Sequence, residues 1–441
     1  MFKNYLKIAF RNLLRFKGYA LINILGLVIG ISTCLLIAKY VQDEFRYDQH
    51  HVNGENIYRV DSEFFINNQY NKSGQTPSPL AKAMKSDLSE VLESTRIYRA
   101  IGVEKYLVSY KEHSFFEKKI AFANSNFFTL LTYDFLQGDK TSALEQPNSV
   151  VLSDKIANKL FGSNKGIGET IKVSSGFGEE QYQVTGIFDS RKYRSHLSND
   201  FYVASNSGRI GEEYDKLQEW GGMNMYCTYI RLQAGTDIAT FTAAIPKWID
   251  AYVGNRLKDL GAERRQYLTN IQDIYLYGEG SNWHGETGNI AFVYWFLSIG
   301  IFILLIACIN FINLATAKAG LRAKEVGVRK VIGASRGMLI KQFMSEAFVY
   351  VSISMVLAAF VAKFLLPVFN RLANKEISLS FFDDPQLVLS LIGVTLLITF
   401  IAGGYPALYL SAFSPTKIFA NNFWKQFGKN STRPNPLNFN F

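Results

Sequence analysis

Only three cysteines occur in 441 residues, and Cys34 and Cys308 fall inside long apolar runs. That leaves Cys227 alone in the polar region between them, so no disulfide can staple that region and it must fold on its apolar core. The chain has no G-x-x-x-x-G-K-[ST], which excludes ATP binding by a P-loop. It also lacks H-E-x-x-H and a cysteine pair, which excludes the common zinc arrangements. "GSNKGIGET" (Gly162–Thr170) is glycine-rich, but it has neither the P-loop spacing nor the third glycine of a dinucleotide fingerprint; it reads as a turn into a strand. His50 and His51 are adjacent and diverge on a helix or strand. With Asp43, Glu44 and Asp48 nearby, they read as a solvated linker. No catalytic, cofactor-binding or metal-ligating residue is assigned, and the chain is not expected to be an enzyme.

Charge is missing from three stretches and nearly so from a fourth. Ala20–Ala38, Ile290–Ala317 and Leu387–Thr416 are uncharged apart from nothing more than polar amides and hydroxyls, and Ala347–Asn370 carries only Lys363. A helix crosses the hydrocarbon core with about 20 mostly apolar residues, so each stretch is a candidate span. The expected class is a membrane protein: four transmembrane α-helices with a large α+β extracytoplasmic domain inserted between the first and second spans. The spans are placed at 19–40, 290–317, 345–370 and 387–411, with a short outer loop at 371–386.

The formal net charge is +10. Residues 1–18 hold five Lys/Arg and no acid, 318–341 hold seven and one acid, and 417–441 hold four and none. The whole excess therefore flanks spans, as the positive-inside rule predicts for cytoplasmic segments. Both termini are expected in the cytoplasm of a bacterial cell bounded by its inner membrane, with 41–289 outside. No basic groove remains for nucleic acid. Lys3, Lys7, Arg11 and Arg15 share one helical face in residues 1–18, which suits an amphipathic interfacial helix; Gly18 marks a bend into the first span. The tail, 412–441, is Pro- and Asn-rich and reads as disordered.

Within 41–289, "NIYRVDSEF", "FFEKKIAFA", "CTYIRL", "ETIKVSS" and "QYQVTGIF" read as strands, and Ser78–Ser94 as an amphipathic helix. In the spans, Gly26 and Gly30 form a G-x-x-x-G packing face, and Asn310 and Asn313 are amides suited to helix–helix contact or self-association. Gly403, Gly404 and Pro406 would bend the fourth span near its inner end. Ionisable groups are nearly absent from the mid-membrane, so an ion-coupled carrier is disfavoured and any transport energy must enter from elsewhere.

Several segments carry a resemblance. "YLKIAFRNLLRFKGYALINILGLVIGIS", "FANSNFFTLLTYDFLQGD", "QPNSVVLSDKIANKLFG", "NFINLATAKAGLRAKEVGVRKVIGASRGMLIKQFMSEA" and "GGYPALYLS" together resemble the permeases of the macrolide-exporter (MacB) and FtsX class of ABC transporters, over about residues 1–415. The resemblance implies a separate cytoplasmic ABC ATPase, whose ATP-driven dimerisation the permease relays to its outer domain. It also implies that 318–342 is the coupling segment seated in a groove of that ATPase. On a helix, Glu325 and Arg329 would pair at i,i+4, and Val328 and Ile332 would form an apolar stripe. Arg322, Lys324, Arg329 and Lys330 would meet an acidic rim, while Gly327 and Gly333 punctuate the segment. Relatives with this kind of first half often continue into a second core domain and four more spans. The chain is therefore either a four-span subunit working as a homodimer or paired permease, or a shortened, impaired copy. Export of an outer-side peptide, amphipathic drug or lipoprotein, with a periplasmic adaptor or other outer partner, stands beside FtsX-like control of a cell-wall hydrolase without transport.

Overall fold

The computed structural model describes residues 9, 11–66, 69–162, 165–220, 224–259, 263–279, 285–317, 326–381 and 384–412. The chain divides into two compact units, Met1–Gln42 with Phe292–Phe441, and Asp43–Ala291.

The first unit is helical. Four of its helices are long and apolar enough to cross a membrane: span 1 (Lys17–Glu44), span 2 (Ile290–Ala317), span 3 (Arg336–Ala373) and span 4 (Pro385–Ala412). All four contribute to one core, where Leu27 and Ile31 meet Cys308 and Phe311, Tyr350 and Val351, and Ile398 and Ala402. Before span 1, residues 11–15 are helical with a turn at Phe16, so the break lies two residues ahead of the glycine expected to mark it. Lys3 and Lys7 of the expected amphipathic face lie outside the described residues, as does the tail beyond Ala412. Span 3 is longer than the apolar run suggested. Ser335 caps its start by accepting from the Met338 amide, and Asn374 ends it in the left-handed conformation (φ 51°).

The second unit is a mixed α/β domain on a 14-stranded sheet. Its strands are β1 (Ile57–Ile66), β2 (Gln69–Ser73), β3 (Thr76–Pro77), β4 (Val91–Tyr98), β5 (Tyr106–Tyr110), β6 (His113–Glu117) and β7 (Ile120–Ala123). There follow β8 (Phe135–Gly138), β9 (Ser149–Ser153), β10 (Thr170–Ser175), β11 (Gly178–Phe188), β12 (Phe201–Ala204), β13 (Asn224–Leu232) and β14 (Glu263–Asn270). The main path runs β14-β1-β13-β4-β7-β12-β9-β11-β10-β5-β6. Most pairs are antiparallel, but β11 pairs β9 and β12 pairs β7 in parallel. The connection between the parallel strands β9 and β11 runs through the helix Asp154–Phe161 and then β10; the N-cap Ser153 of that helix accepts from Ile156 N and its C-cap Gly162 sits at φ 70°.

Alternation places the strands as read from sequence. Ile171 and Val173 are buried while Thr170 and Lys172 face out, and β10 and β11 close over Gly176–Phe177. Two readings need correction. The helix expected over Ser78–Ser94 covers only Leu80–Asp87; from Val91 the chain becomes β4. Pairing with β13 and β7, and burial of Val91, Thr95, Ile97 and Tyr98, outweigh the local helical pattern. "FFEKKIAFA" is two strands, broken at Lys118–Lys119, where Glu117 accepts from both amides.

Candidate coupling site

Of the residues proposed to contact an ATPase, Arg322, Lys324 and Glu325 lie outside the described residues, so the expected Glu325–Arg329 pair lies there too. The remainder form a short helix, 326–331, closed by Gly333 at φ 100°, where a Cβ would be strained. The Gly333 amide donates to Lys330 O (3.1 Å) and the Ala334 amide to Arg329 O (2.9 Å). Ser335 then starts span 3. The short helix has an inner and an outer side. Val326 is buried with Leu339, Phe343, Ala407 and Leu410 from the ends of spans 3 and 4, and Gly327 is buried beside it. Arg329 donates to the Gln342 side chain, and Lys330 donates to Ser411 O at 2.7 Å. On the other side Val328 is 48% exposed, Val331 67% and Ile332 80%. Apolar side chains this open, beside two anchored cations, make a small, fixed surface that a groove could take up.

The packing residues fall within one chain. A Cβ on Gly30 would lie 2.6 Å from Ala307 Cβ of span 2, and one on Gly26 would lie 3.0 Å from Asn310 Nδ2. Gly403 opposes Ala347 of span 3 at the same 2.6 Å, whereas nothing lies within 4 Å of a Cβ on Gly404. Asn313 is exposed, and span 4 continues as a helix through Pro406 to Ala412. Glu346 went unnoticed in the sequence because it stands one residue before the apolar run of span 3. It is buried, and with Tyr19, Phe311, Tyr350, Gly403 and Pro406 it lines a cavity of about 40 Å³.

Residues 20–248 match the model of the MacB-like periplasmic core domain, which spans half of the chain, and residues 297–415 match the FtsX-like permease C-terminal domain. The chain belongs to the MacB/FtsX family of ABC transporter permeases. This MacB/FtsX-type permease is therefore a multi-pass membrane protein of a family that works with an ABC ATPase, and not a member of a catalytic enzyme family. No curated protein matches its sequence. Solved structures similar to it include a domain assigned to a permease protein from Porphyromonas gingivalis, at 17% identity and TM-score 0.43, over 50% of this chain and 92% of that one. The periplasmic region of MacB from Actinobacillus actinomycetemcomitans aligns at 11% identity and TM-score 0.34, over 50% and 91%. The extracellular domain of the noncanonic ABC-type transporter YknZ from Gram-positive bacteria aligns at 14% and 0.30, over 48% and 100%.

The permease's outer domain holds a second group of polar residues that sequence reading misplaced. Asp43, Glu44, Asp48 and His51 were expected on a solvated linker; all four are buried. The Asp48 carboxylate accepts from His196 Nδ1 (2.8 Å), the His196 amide (3.0 Å) and Ser195 Oγ (2.8 Å). His51 Nε2 lies 3.4 Å from it, while His51 Nδ1 accepts from the Thr132 amide. Burial alone would raise the Asp48 pKa, but the charge and hydrogen bonds of His196 and His51 outweigh it and hold the group well below the usual carboxylate range. His50 stacks on Tyr193 at 4.3 Å, and burial, then repulsion from His51, lower its pKa to about 4. Among the described residues no group of three or more His, Cys, Asp or Glu side chains is placed to hold a metal ion. The Asp48 carboxylate is taken up by His196, Ser195 and His51.

Proposed function

We propose that the chain is the permease half of a transporter in which segment 322–333 docks a separate cytoplasmic ABC ATPase. The spans then relay nucleotide-driven motion to the outer domain, which acts on an outer-side substrate. The observation that carries this reading is the two-sided helix 326–331. Val326 is packed into spans 3 and 4, so a force on the helix passes directly into them, while Val328, Val331 and Ile332 stay open to a partner. Arg329 and Lys330, bonded to Gln342 and Ser411, stiffen the joint. The charge asymmetry of the flanking segments supports placing this helix and both termini on the cytoplasmic side of the bacterial inner membrane. Two permease chains, as a homodimer or a pair, would match a two-fold ATPase dimer.

The test is co-purification from membranes. Val328→Asp puts a charge into the apolar stripe, and Gly333→Pro cannot adopt φ 100°. Each is expected to abolish recovery of the ATPase while insertion and the four-span core persist. If both variants retain the ATPase at wild-type yield, groove docking by this segment is wrong.

A further inference from the structure

The outer domain is joined to the spans by two leads, residues 43–51 running out of the end of span 1 and residues 285–291 running into the start of span 2, and both grip the same short segment, 194–197. From the first lead, Asp43 takes Arg194 Nε at 2.9 Å, and the Asp48 amide donates to Arg194 O at 2.9 Å. The Asp48 carboxylate holds Ser195 and His196 as described above. Asp48 adopts φ 57°, a left-handed turn that lets its amide and its carboxylate face the same segment. From the second lead, the Glu286 amide donates to His196 O at 3.0 Å and Gly285 bridges Leu197. A Cβ on Gly285 would lie 1.4 Å from His196 O, so only glycine fits. Tyr47 links the leads directly, donating to Glu286 Oε2 at 3.1 Å and stacking on Tyr275 at 3.5 Å. One further bond carries the segment into the sheet: His196 Nε2 meets Tyr229 OH at 2.8 Å. Tyr229 lies in β13, between β1 and β4.

We propose that Asp48 is a positioning residue that locks both membrane leads to segment 194–197, so that the leads move as one body and act on the sheet through His196 and Tyr229. The chemistry favours a hub over ordinary packing. A buried carboxylate with several charge-assisted bonds is costly to open partway, because each released donor leaves unpaired groups in a dry interior. Opening is therefore expected to be cooperative across both leads. The role in relaying motion rests on the function proposed above; the coupling of the leads does not.

Hydrogen exchange read by mass spectrometry on the full chain in nanodiscs separates the two. Asp48→Asn removes the charge and presents an amide donor to His196. Exchange in peptides covering 43–51 and 193–197 is expected to rise about tenfold or more. The peptide covering 285–291 should rise by the same factor, although Glu286 makes its bond to His196 and not to Asp48. An unchanged 285–291 peptide beside faster 43–51 and 193–197 peptides overturns the hub. Should Asp48→Asn fail to fold, Tyr229→Phe removes only the hydroxyl. It is expected to leave both leads and 193–197 changing together by one factor, and a rise confined to 193–197 or to one lead would overturn the assignment. With a co-purified ATPase, adding a non-hydrolysable nucleotide should alter β13 exchange in the wild type and not in Asp48→Asn. No nucleotide response in the wild type counts against the relay and leaves the hub standing, whereas an equal response in both proteins refutes transmission through Asp48.

Discussion

Gly403 and Gly404 are neighbours on one helix turn and should respond oppositely to the same substitution. In Gly403→Ala the new methyl would sit 2.6 Å from Ala347 Cβ, against an ordinary contact of 3.4–4 Å, so spans 3 and 4 must separate by about 1 Å or bend. Overpacking of this kind costs roughly 1–3 kcal/mol. The gain in helix propensity from Gly to Ala, up to about 1 kcal/mol, offsets part of it and leaves a net loss of about 1–2 kcal/mol. At Gly404 nothing lies within 4 Å of the added carbon, so only the propensity term acts and the variant should gain roughly 0.5–1 kcal/mol. The assay is equilibrium unfolding of the full chain in bicelles, with Ala347→Gly as a third variant. Gly403→Ala combined with Ala347→Gly should recover most of the loss, because the facing methyl is gone, giving a coupling of about 1 kcal/mol or more. Equal stability of the two alanine variants, or no recovery in the double variant, would falsify close packing of spans 3 and 4 at this point.

Two further predictions concern the outer domain. Arg59 and Asp61 are a fully buried pair in β1, with Thr269 Oγ1 also donating to Asp61 at 2.6 Å. Arg59→Met strands the carboxylate and should destabilise the domain by about 3–5 kcal/mol in denaturant titration, whereas Arg59→Met with Asp61→Leu should recover most of that. His50 titrates at about 4 when folded and near 6.5 when free, so the unfolded chain binds the extra proton between those values. Stability should therefore fall as pH drops from about 6.5 to about 4, by at most about 3 kcal/mol before solvent screening. His50→Phe keeps the stack on Tyr193 and should flatten that part of a melting-temperature profile; an unchanged slope would show that another group titrates there.

Several features were readable in advance because they depend on local composition. The four spans follow from uncharged runs, and the β10–β11 hairpin from strict alternation around a glycine turn. Gly333 was readable as punctuation of the basic segment because cap chemistry is short-range, although the apolar run alone placed the start of span 3 at 345 and not at Arg336. Helix against strand at Val91–Ser94 was not readable, since the preference is set by partners in β13, Ile230 to Leu232, far along the chain. Gly26 and Gly30 were legible as a close-packing face, but their partner, span 2 of the same chain, was not.

By itself the sequence determined which four stretches are apolar enough to cross a membrane and that the basic residues cluster beside them. Lipid and water separate apolar from charged segments without reference to the fold. Only the tertiary structure decided what Asp48 and the two adjacent histidines do. Asp48 and His196 are 148 positions apart, and nothing local distinguishes a buried carboxylate from a solvated one. Its burial is imposed by the sheet that brings Ser195, His196 and Tyr229 around it. The same holds for Val328 and Ile332: their periodicity marked a stripe, but packing of Val326 into spans 3 and 4 determined that the stripe faces outward.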